Sequence, residues 1–137
     1  ACVIGCALQT GVGAVLNTAN MEAGATCVVM GLGGIGMATI QGARIAGASV
    51  IIASDPIPER RDLASGFGAT HVIDPTAEDL GALVQEVTGG IGVDYAFEAA
   101  GKAPLIEQGI QLCRMGGTTV MVGSPAIEES LTIPTWY

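Results

Sequence analysis

Three glycines at a fixed spacing and one acidic residue could together bind a dinucleotide. The loop Gly31-Leu-Gly-Gly-Ile-Gly36 follows the apolar run Thr26-Cys-Val-Val-Met30, and Asp55 ends a second apolar run. Between a strand and a helix, Gly31 permits a tight turn, Gly33 lets the backbone approach a pyrophosphate, and Gly36 allows close helix packing. A carboxylate after the second strand accepts hydrogen bonds from ribose hydroxyls and repels a 2′-phosphate.

The start of the helix after this loop would supply further donors. The N–H groups of Gly34 and Ile35 lie at the positive end of the helix dipole, which favours a diphosphate. The pattern therefore predicts dinucleotide binding, with NAD preferred to NADP, although Arg60 and Arg61 could hold a 2′-phosphate. Two alternatives remain: a glycine turn that only packs tightly beside a solvated acid, and a methyltransferase, whose glycine loop is usually less regular.

Apolar β-rich runs alternate with helical stretches along the chain, which predicts an α/β fold with a doubly wound parallel sheet, the Rossmann fold. Gly47 and Gly68 follow predicted helices, and Pro58 lies in the first turn of one. Residues 131–134 could form a short edge strand, where Pro134 is tolerated. The predicted strands are 26–30, 49–54, 71–74, 93–98 and 118–123, and the predicted helices are 6–19, the glycine loop to about 46, 58–67, 76–88 and 102–115.

Composition excludes several classes of protein. The 137 residues are 50% hydrophobic and 13% charged, which suits one domain with a buried core and not a disordered chain. A net charge of −8 without a basic stripe argues against nucleic-acid binding. No apolar run reaches the roughly 20 residues of a membrane span, and no basic segment suggests a signal peptide. The chain opens without Met inside an apolar phrase, so we interpret it as part of a larger protein.

The four cysteines are widely spaced and include no Cys-x-x-Cys pair. A disulfide framework or a closed structural zinc site is therefore not expected. Such usage is typical of a reducing compartment, and we predict a cytoplasmic protein. Taken alone, Cys6 reads as a buried apolar cysteine, and Cys27 and Cys113 read as core residues.

The phrase Ile4-Gly-Cys-Ala-Leu-Gln-Thr-Gly-Val-Gly13 and the glycine loop together resemble the zinc-dependent medium-chain alcohol dehydrogenases. The resemblance continues, in order, through 68–70, 92–98, Gly101 and 120–123, and so covers essentially the whole chain. It implies the NAD-binding domain only, truncated before the sixth strand of the family. Residues 1–24 would then be a linking helix with a zinc-ligand cysteine, and residues 25–137 the Rossmann domain.

The resemblance also assigns roles to single residues. Cys6 matches one of three protein ligands to the catalytic zinc, and Thr10 matches a position beside the nicotinamide. Asp55 matches the ribose acid and Arg60 a basic residue near the adenosine ribose, while Ile35 matches a residue on the nicotinamide side. The loops after the fourth and fifth strands would border the cofactor through Ala99, Ala100, Val122 and Ser124.

The implied activity is hydride transfer between an alcohol or aldehyde and NAD, with zinc lowering the pKa of the alcohol. The family's other two zinc ligands, a cysteine and a histidine, have no match here, so the isolated chain is expected to be inactive and to hold little zinc. Cys2, Cys27, Cys113 and His71 are given no ligand role. The family also pairs subunits through the segment resembling 131–134, which predicts a homodimer or higher oligomer. Two other functions remain open: a non-catalytic dinucleotide-binding module and a zinc-free reductase of the same superfamily.

Overall fold

The computed structural model describes residues 4–135, so Cys2, Trp136 and Tyr137 lie outside the described residues. Five strands form one parallel sheet in the order β3-β2-β1-β4-β5. This order confirms the predicted doubly wound fold, in which the chain reverses direction across the sheet between β1 and β4 and leaves a crevice beyond their carboxyl ends. The strands are β1 (Thr26–Met30), β2 (Val50–Ser54), β3 (His71–Ile73), β4 (Val93–Glu98) and β5 (Cys113–Met121).

Within residues 4–135, five helical stretches connect or flank the strands. The first, α1, covers 4–18; its central part Gln9–Gly13 is α-helical, and the wider π-type turns Ile4–Leu8 and Ala14–Thr18 lie on either side. The other four helices are α2 (Gly34–Ala46), α3 (Pro58–Phe67), α4 (Leu80–Val87) and α5 (Ala103–Leu112). No helix within residues 4–135 is long and apolar enough to cross a membrane.

Neighbouring residues of β1 serve two separate cores because successive side chains of a strand point to opposite faces. Val29 packs with Val15 of α1 and Ile40 of α2, whereas Val28 packs with Ile52 and with Val84 of α4. All six side chains are fully buried. Layers of helices on both faces explain why the strands are continuously apolar.

Helix α1 lies directly on α2, the helix that follows the glycine loop. A Cβ added at Gly11 would stand 2.5 Å from the carbonyl oxygen of Ile35 and 2.6 Å from Cβ of Ala38. The absence of a side chain at Gly11 therefore sets the distance between the two helices. The cysteine and threonine singled out in α1 are thereby held at a fixed position relative to the loop.

Three predicted boundaries were wrong. Helix α4 begins at Leu80 and not at residue 76, because the Asp74 side chain holds Thr76 in a turn and Asp79 caps the helix by accepting the N–H of Ala82. Residues 131–134 form no strand; the N–H of Thr132 donates instead to Oε1 of Glu107 on α5, at 2.6 Å.

The third difference lies between α5 and β5. The helix was predicted to reach residue 115, but it ends at Leu112, and β5 covers Cys113–Met121 where 118–123 was predicted. Val93 of β4 pairs with Cys113 of β5, but Tyr95 pairs with Thr118. Residues 114–117 of β5 therefore form a bulge. Gly116 permits this bulge through its positive φ of 75°.

Arg114, inside this bulge, belongs to a polar cluster at the amino ends of the strands. Its Nε lies 2.5 Å from Oδ1 of Asp94, while Oδ2 of Asp94 accepts the N–H and the hydroxyl of Thr26, at 2.8 and 3.1 Å. Partial burial alone would raise the pKa of Asp94, but the hydrogen bonds from Arg114 and Thr26 outweigh it and lower that pKa. The charged form of Asp94 therefore joins β1, β4 and β5.

We expect Asp94→Asn to destabilise the fold by about 1–2 kcal/mol at neutral pH, because a hydrogen-bonded charge is lost. A carboxyl group with a lowered pKa in the folded state stabilises above its unfolded pKa, and this contribution disappears as the pH falls through the folded value. The difference in the free energy of unfolding between the wild type and Asp94→Asn should thus decrease below about pH 4. Urea unfolding at pH 7 and pH 3 measures this difference, with Asp62→Asn on the exposed side of α3 as control. A difference as large at pH 3 as at pH 7 would contradict the assignment.

Candidate functional site

The glycines at the two ends of the loop are required by packing. Gly31 has φ of 93°, and a Cβ there would stand 2.8 Å from Cβ and N of Ala100. A Cβ at Gly36 would stand 1.8 Å from the carbonyl oxygen of Gly31. The N–H of Gly31 also donates to the carbonyl of Ser54, which ties the loop to the end of β2, at 2.9 Å. These contacts agree with the predicted tight turn and close helix packing.

Gly33 differs from both. Its φ is −72°, which any residue adopts, and nothing lies within 4 Å of a Cβ added there. The described fold therefore gives no packing reason for glycine at this position. The space beside Gly33 is the space that a bound group would occupy if it approached the backbone.

The first turn of α2 directs unpaired donors toward this space. The first intrahelical hydrogen bond runs from the N–H of Met37 to the carbonyl of Gly33, at 2.9 Å. The N–H groups of Gly34 and Ile35 precede it and have no intrahelical acceptor. Gly33, the residue before the helix, provides no side-chain cap. An anion at this point would meet free N–H donors and the positive end of the helix dipole.

Asp55 lies directly after β2 and is only 3% exposed. Its Oδ2 accepts the N–H of Leu32 in the glycine loop, and its Oδ1 accepts the N–H of Ile57, both at 2.8 Å. Because a carboxylate oxygen can accept two hydrogen bonds, Oδ1 keeps one acceptor position. The carboxylate is thus fixed beside the loop and still able to accept a further hydroxyl donor.

The two nearby arginines have different roles. Nη1 of Arg60 lies 3.4 Å from Oδ2 of Asp55, and the Arg60 side chain is 47% exposed. Arg61 donates to the backbone carbonyl of Asp55 at 2.7 Å and pairs with Asp74 at 3.7 Å. Arg60 therefore flanks the carboxylate, whereas Arg61 supports the backbone beneath it.

A crevice of about 340 Å³ opens beyond the carboxyl ends of β1, β2 and β4. It brings together the loop, the acid and the residues after β4, as predicted for ligands of parallel sheets. The predicted site residues that line it are Gly31, Gly33, Asp55, Arg60, Ala99 and Ala100.

Other predicted site residues lie elsewhere. Thr10 and Val122 line a second cavity of about 420 Å³ between α1 and the end of β5. Ile35 is half-buried in the first turn of α2, and its carbonyl accepts the hydroxyl of Thr39. Ser124 is exposed and its carbonyl faces Gly101. The predicted site residues are therefore divided between the crevice, this second cavity and positions that line neither.

Cys6 is exposed near the amino end of α1. Among residues 4–135, no group of three or more His, Cys, Asp and Glu side chains is placed to hold a metal ion. His71 instead shares a hydrogen bond with the hydroxyl of Thr70 at 2.9 Å. The described residues do not by themselves form a zinc centre.

The remaining described cysteines belong to the core region, as predicted. Cys27 is fully buried, and this burial, with a smaller contribution from the charge of Asp94, raises the pKa of its thiol to about 12. Cys113 is half-buried, and burial likewise raises its pKa. Both thiols therefore stay protonated and are poor metal ligands or nucleophiles.

Two features were missed in the sequence. One is Glu98, a fully buried acid at the end of β4; its position, analogous to that of Asp55 after β2, was the available signal. The other is a cavity of about 540 Å³ between α2 and α3, with Met37, Leu63 and Phe67 in its wall. Leu32, Gly33 and Gly34 of the glycine loop also line this cavity, so it borders the predicted dinucleotide site.

The chain matches the family model described as zinc-binding dehydrogenase over residues 34–136. It is 43% identical over 125 residues to alcohol dehydrogenase class-3 of Myxine glutinosa, covering 89% of this chain and 33% of that protein. The chain thus spans about a third of the length of this curated relative.

Solved structures give the same result. Benzyl alcohol dehydrogenase of Acinetobacter calcoaceticus superposes with a TM-score of 0.92 at 34% identity, covering 97% of this chain and 36% of that one. A zinc-binding dehydrogenase of Sinorhizobium meliloti 1021, solved bound to NADP, superposes with a TM-score of 0.85 at 32% identity, covering 96% and 39%. With the parallel five-stranded sheet and the glycine loop, these matches show that the chain belongs to the zinc-dependent medium-chain alcohol dehydrogenase family.

Proposed function

We propose that this chain binds NAD and serves as the cofactor domain of a zinc-dependent alcohol dehydrogenase that interconverts an alcohol and an aldehyde. The observation that carries the proposal is the open space at Gly33, beside free N–H donors of α2 and within the crevice that Asp55 lines. A pyrophosphate needs close backbone approach and a positive helix end, and both are present. The names of the relatives support the reaction class.

The crevice and the neighbouring cavity beside α1 would hold different parts of the cofactor. The pyrophosphate would lie over Gly33 and the N–H groups of Gly34 and Ile35. The adenosine ribose would donate a hydroxyl to the free acceptor position of Asp55 Oδ1, with Arg60 alongside. Thr10 and Val122, which share a cavity beside α1, would lie on the nicotinamide side. When bound, the nicotinamide supplies hydride exchange with the substrate carbon.

The preference for NAD over NADP rests on the buried charge of Asp55. A 2′-phosphate at the ribose would place a second anion against a carboxylate that is 3% exposed. Arg60 offsets part of that repulsion, but its side chain is already paired with Asp55 at 3.4 Å. One structural neighbour was solved with NADP, so NADP is the competitor to test directly.

The zinc half of the proposal concerns the whole enzyme. Cys6 would contribute one ligand, and the other two would come from sequence beyond this chain, as the family resemblance implies. We also propose that residues 1–24 link this domain to the rest of the enzyme.

The free thiols of Cys6, Cys27 and Cys113 suit a reducing, cytoplasmic location. Exposed apolar side chains at Met121, Leu131 and Ile133 would suit subunit pairing.

Amide chemical-shift mapping with NADH tests the proposal. We expect the largest shifts at 31–36, at 55–57 and at 99–102, because these segments surround the crevice. Adenosine alone, as a control ligand, should shift 55–57 and leave the loop amides nearly unchanged. Shifts confined to Met37, Leu63 and Phe67 in the cavity between α2 and α3, or no saturable shift with millimolar NADH, would refute it.

A further inference from the structure

Glu98 ends β4 and its side chain is fully buried. Its Oε1 accepts the N–H of Ala100 at 2.8 Å and the N–H of Lys102 at 3.3 Å. Its Oε2 is buried and has no hydrogen-bond partner among the described residues. A buried carboxylate oxygen without a hydrogen bond destabilises the fold. Packing alone therefore does not explain why an acid occupies position 98.

The backbone of Glu98 joins a second loop to the first. Its carbonyl accepts the N–H groups of Val122 and Gly123, both at 2.9 Å. A Cβ at Gly123 would stand 2.3 Å from the nitrogen of Gly101 and 2.8 Å from Oε2 of Glu98. The loops after β4 and β5 therefore meet in direct contact over this carboxylate.

The loop held by Glu98 also forms a wall of the crevice. Ala99, Ala100 and Lys102 all line it. Ala100 additionally stands against Gly31, as close as 2.8 Å to the position of a Cβ there. A displacement of Ala100 would thus alter both the wall of the crevice and the turn that begins the glycine loop.

The amino end of α5 stabilises the buried carboxylate of Glu98. Lys102 is the residue before the helix, and it offers no side-chain cap. The Glu98 carboxylate takes its N–H instead and lies near the positive end of the helix dipole, which stabilises a negative charge. The acid is thus directed at the backbone of the loop and away from solvent.

We propose that Glu98 is a positioning residue for the dinucleotide crevice: it fixes the 99–102 loop against Gly31 so that the crevice is formed before the cofactor binds. This inference rests on the proposed function, since it assigns Glu98 to the affinity of the same site. Glu98 does not line the crevice and acts through Ala100. Preorganisation of this kind lowers the cost of ordering a loop on binding.

Two conservative variants separate positioning from stability. Glu98→Asp keeps the charge but withdraws the carboxylate by one methylene, so Ala100 and Lys102 lose their acceptor. We expect about tenfold weaker NADH binding, which corresponds to about 1.4 kcal/mol. Glu98→Gln keeps an acceptor at Oε1 and should bind NADH within about twofold of wild type. The matched control is Asp94→Asn, a carboxylate on the same strand at the opposite end of the sheet, which should lose stability without losing affinity.

Calorimetric titration with NADH and amide hydrogen exchange measure these effects at a temperature where all the variants are folded. Faster exchange at Ala100 and Lys102 in Glu98→Asp, with weaker NADH binding and rescue by Gln, supports the proposal. Unchanged exchange at those amides, wild-type affinity in Glu98→Asp, or an equal loss in Asp94→Asn overturns it. Absence of NADH binding to the wild type would instead refute the proposed function, and the exchange comparison would still decide whether Glu98 holds the loop.

Discussion

Gly33→Ala is expected to leave the domain folded, with a free energy of unfolding within about 1 kcal/mol of the wild type, while weakening NADH binding about tenfold or more, or about 1.4 kcal/mol. The backbone at Gly33 has φ of −72°, and a Cβ there has nothing within 4 Å, so alanine fits without strain. Alanine reduces the entropy of the unfolded chain, which stabilises by about 0.4–1 kcal/mol at compatible positions, but it is less favourable than glycine as the residue before a helix, so the two effects largely cancel. The methyl group would nevertheless occupy the space where a pyrophosphate must approach. Thermal unfolding and NADH titration of the same preparation measure both effects.

Gly36→Ala is the matched control within the same loop. Its Cβ would stand 1.8 Å from the carbonyl oxygen of Gly31, so the turn or the helix must move. Overpacking of this kind costs about 1–3 kcal/mol and sometimes more. We therefore expect a clearly lower Tm for Gly36→Ala and a much smaller change in Tm for Gly33→Ala. Equal destabilisation by the two variants would show that packing, and not a ligand, explains Gly33.

Asp55→Ala is expected to weaken NAD binding far more than NADP binding. The carboxylate would lose its bond to a ribose hydroxyl, and the repulsion toward a 2′-phosphate would disappear with it. Loss of a hydrogen bond to a charged group corresponds to about 1.5–3 kcal/mol, or roughly ten- to a hundredfold in affinity. Titration with both cofactors gives the ratio of dissociation constants. Equal losses for NAD and NADP would refute the role in ribose binding.

Because Asp55 also contacts the backbone of the loop, the ratio of the NAD and NADP dissociation constants is more informative than either affinity alone. Asp55 also accepts the N–H of Leu32 and the N–H of Ile57, so its removal disturbs the loop for any dinucleotide. Asp55→Asn keeps one acceptor for these donors and removes the charge. It should retain more of the NADP affinity than Asp55→Ala and still favour NADP relative to wild type. Asp62→Ala on α3 should leave both cofactors unaffected.

The strands and the glycine loop were predictable because each depends on local sequence. A continuous apolar run such as Thr26–Met30 indicates a buried parallel strand, and the loop spacing identifies the turn and the helix that follows. The parallel order of the sheet followed from the same alternation of strands and helices. Asp55 was found because it lies a fixed distance beyond the loop.

The errors arose where distant contacts override local preference. Glu107 on α5 takes the N–H of Thr132 and so prevents the edge strand expected at 131–134. Asp94, twenty residues before Arg114 in sequence, favours a bulge where helix was predicted. Glu98 was missed because its importance depends on the loops after two strands meeting over it, which no local pattern reveals.

Calorimetric titration of NADH into the wild-type chain and Gly33→Ala, at a temperature where both are folded, tests most directly whether this crevice is a dinucleotide site. We predict saturable binding to the wild type, about one NADH per chain, and at least about tenfold weaker binding to the variant. Equal affinities for the two proteins, or no saturable binding to the wild type, would contradict the proposed function.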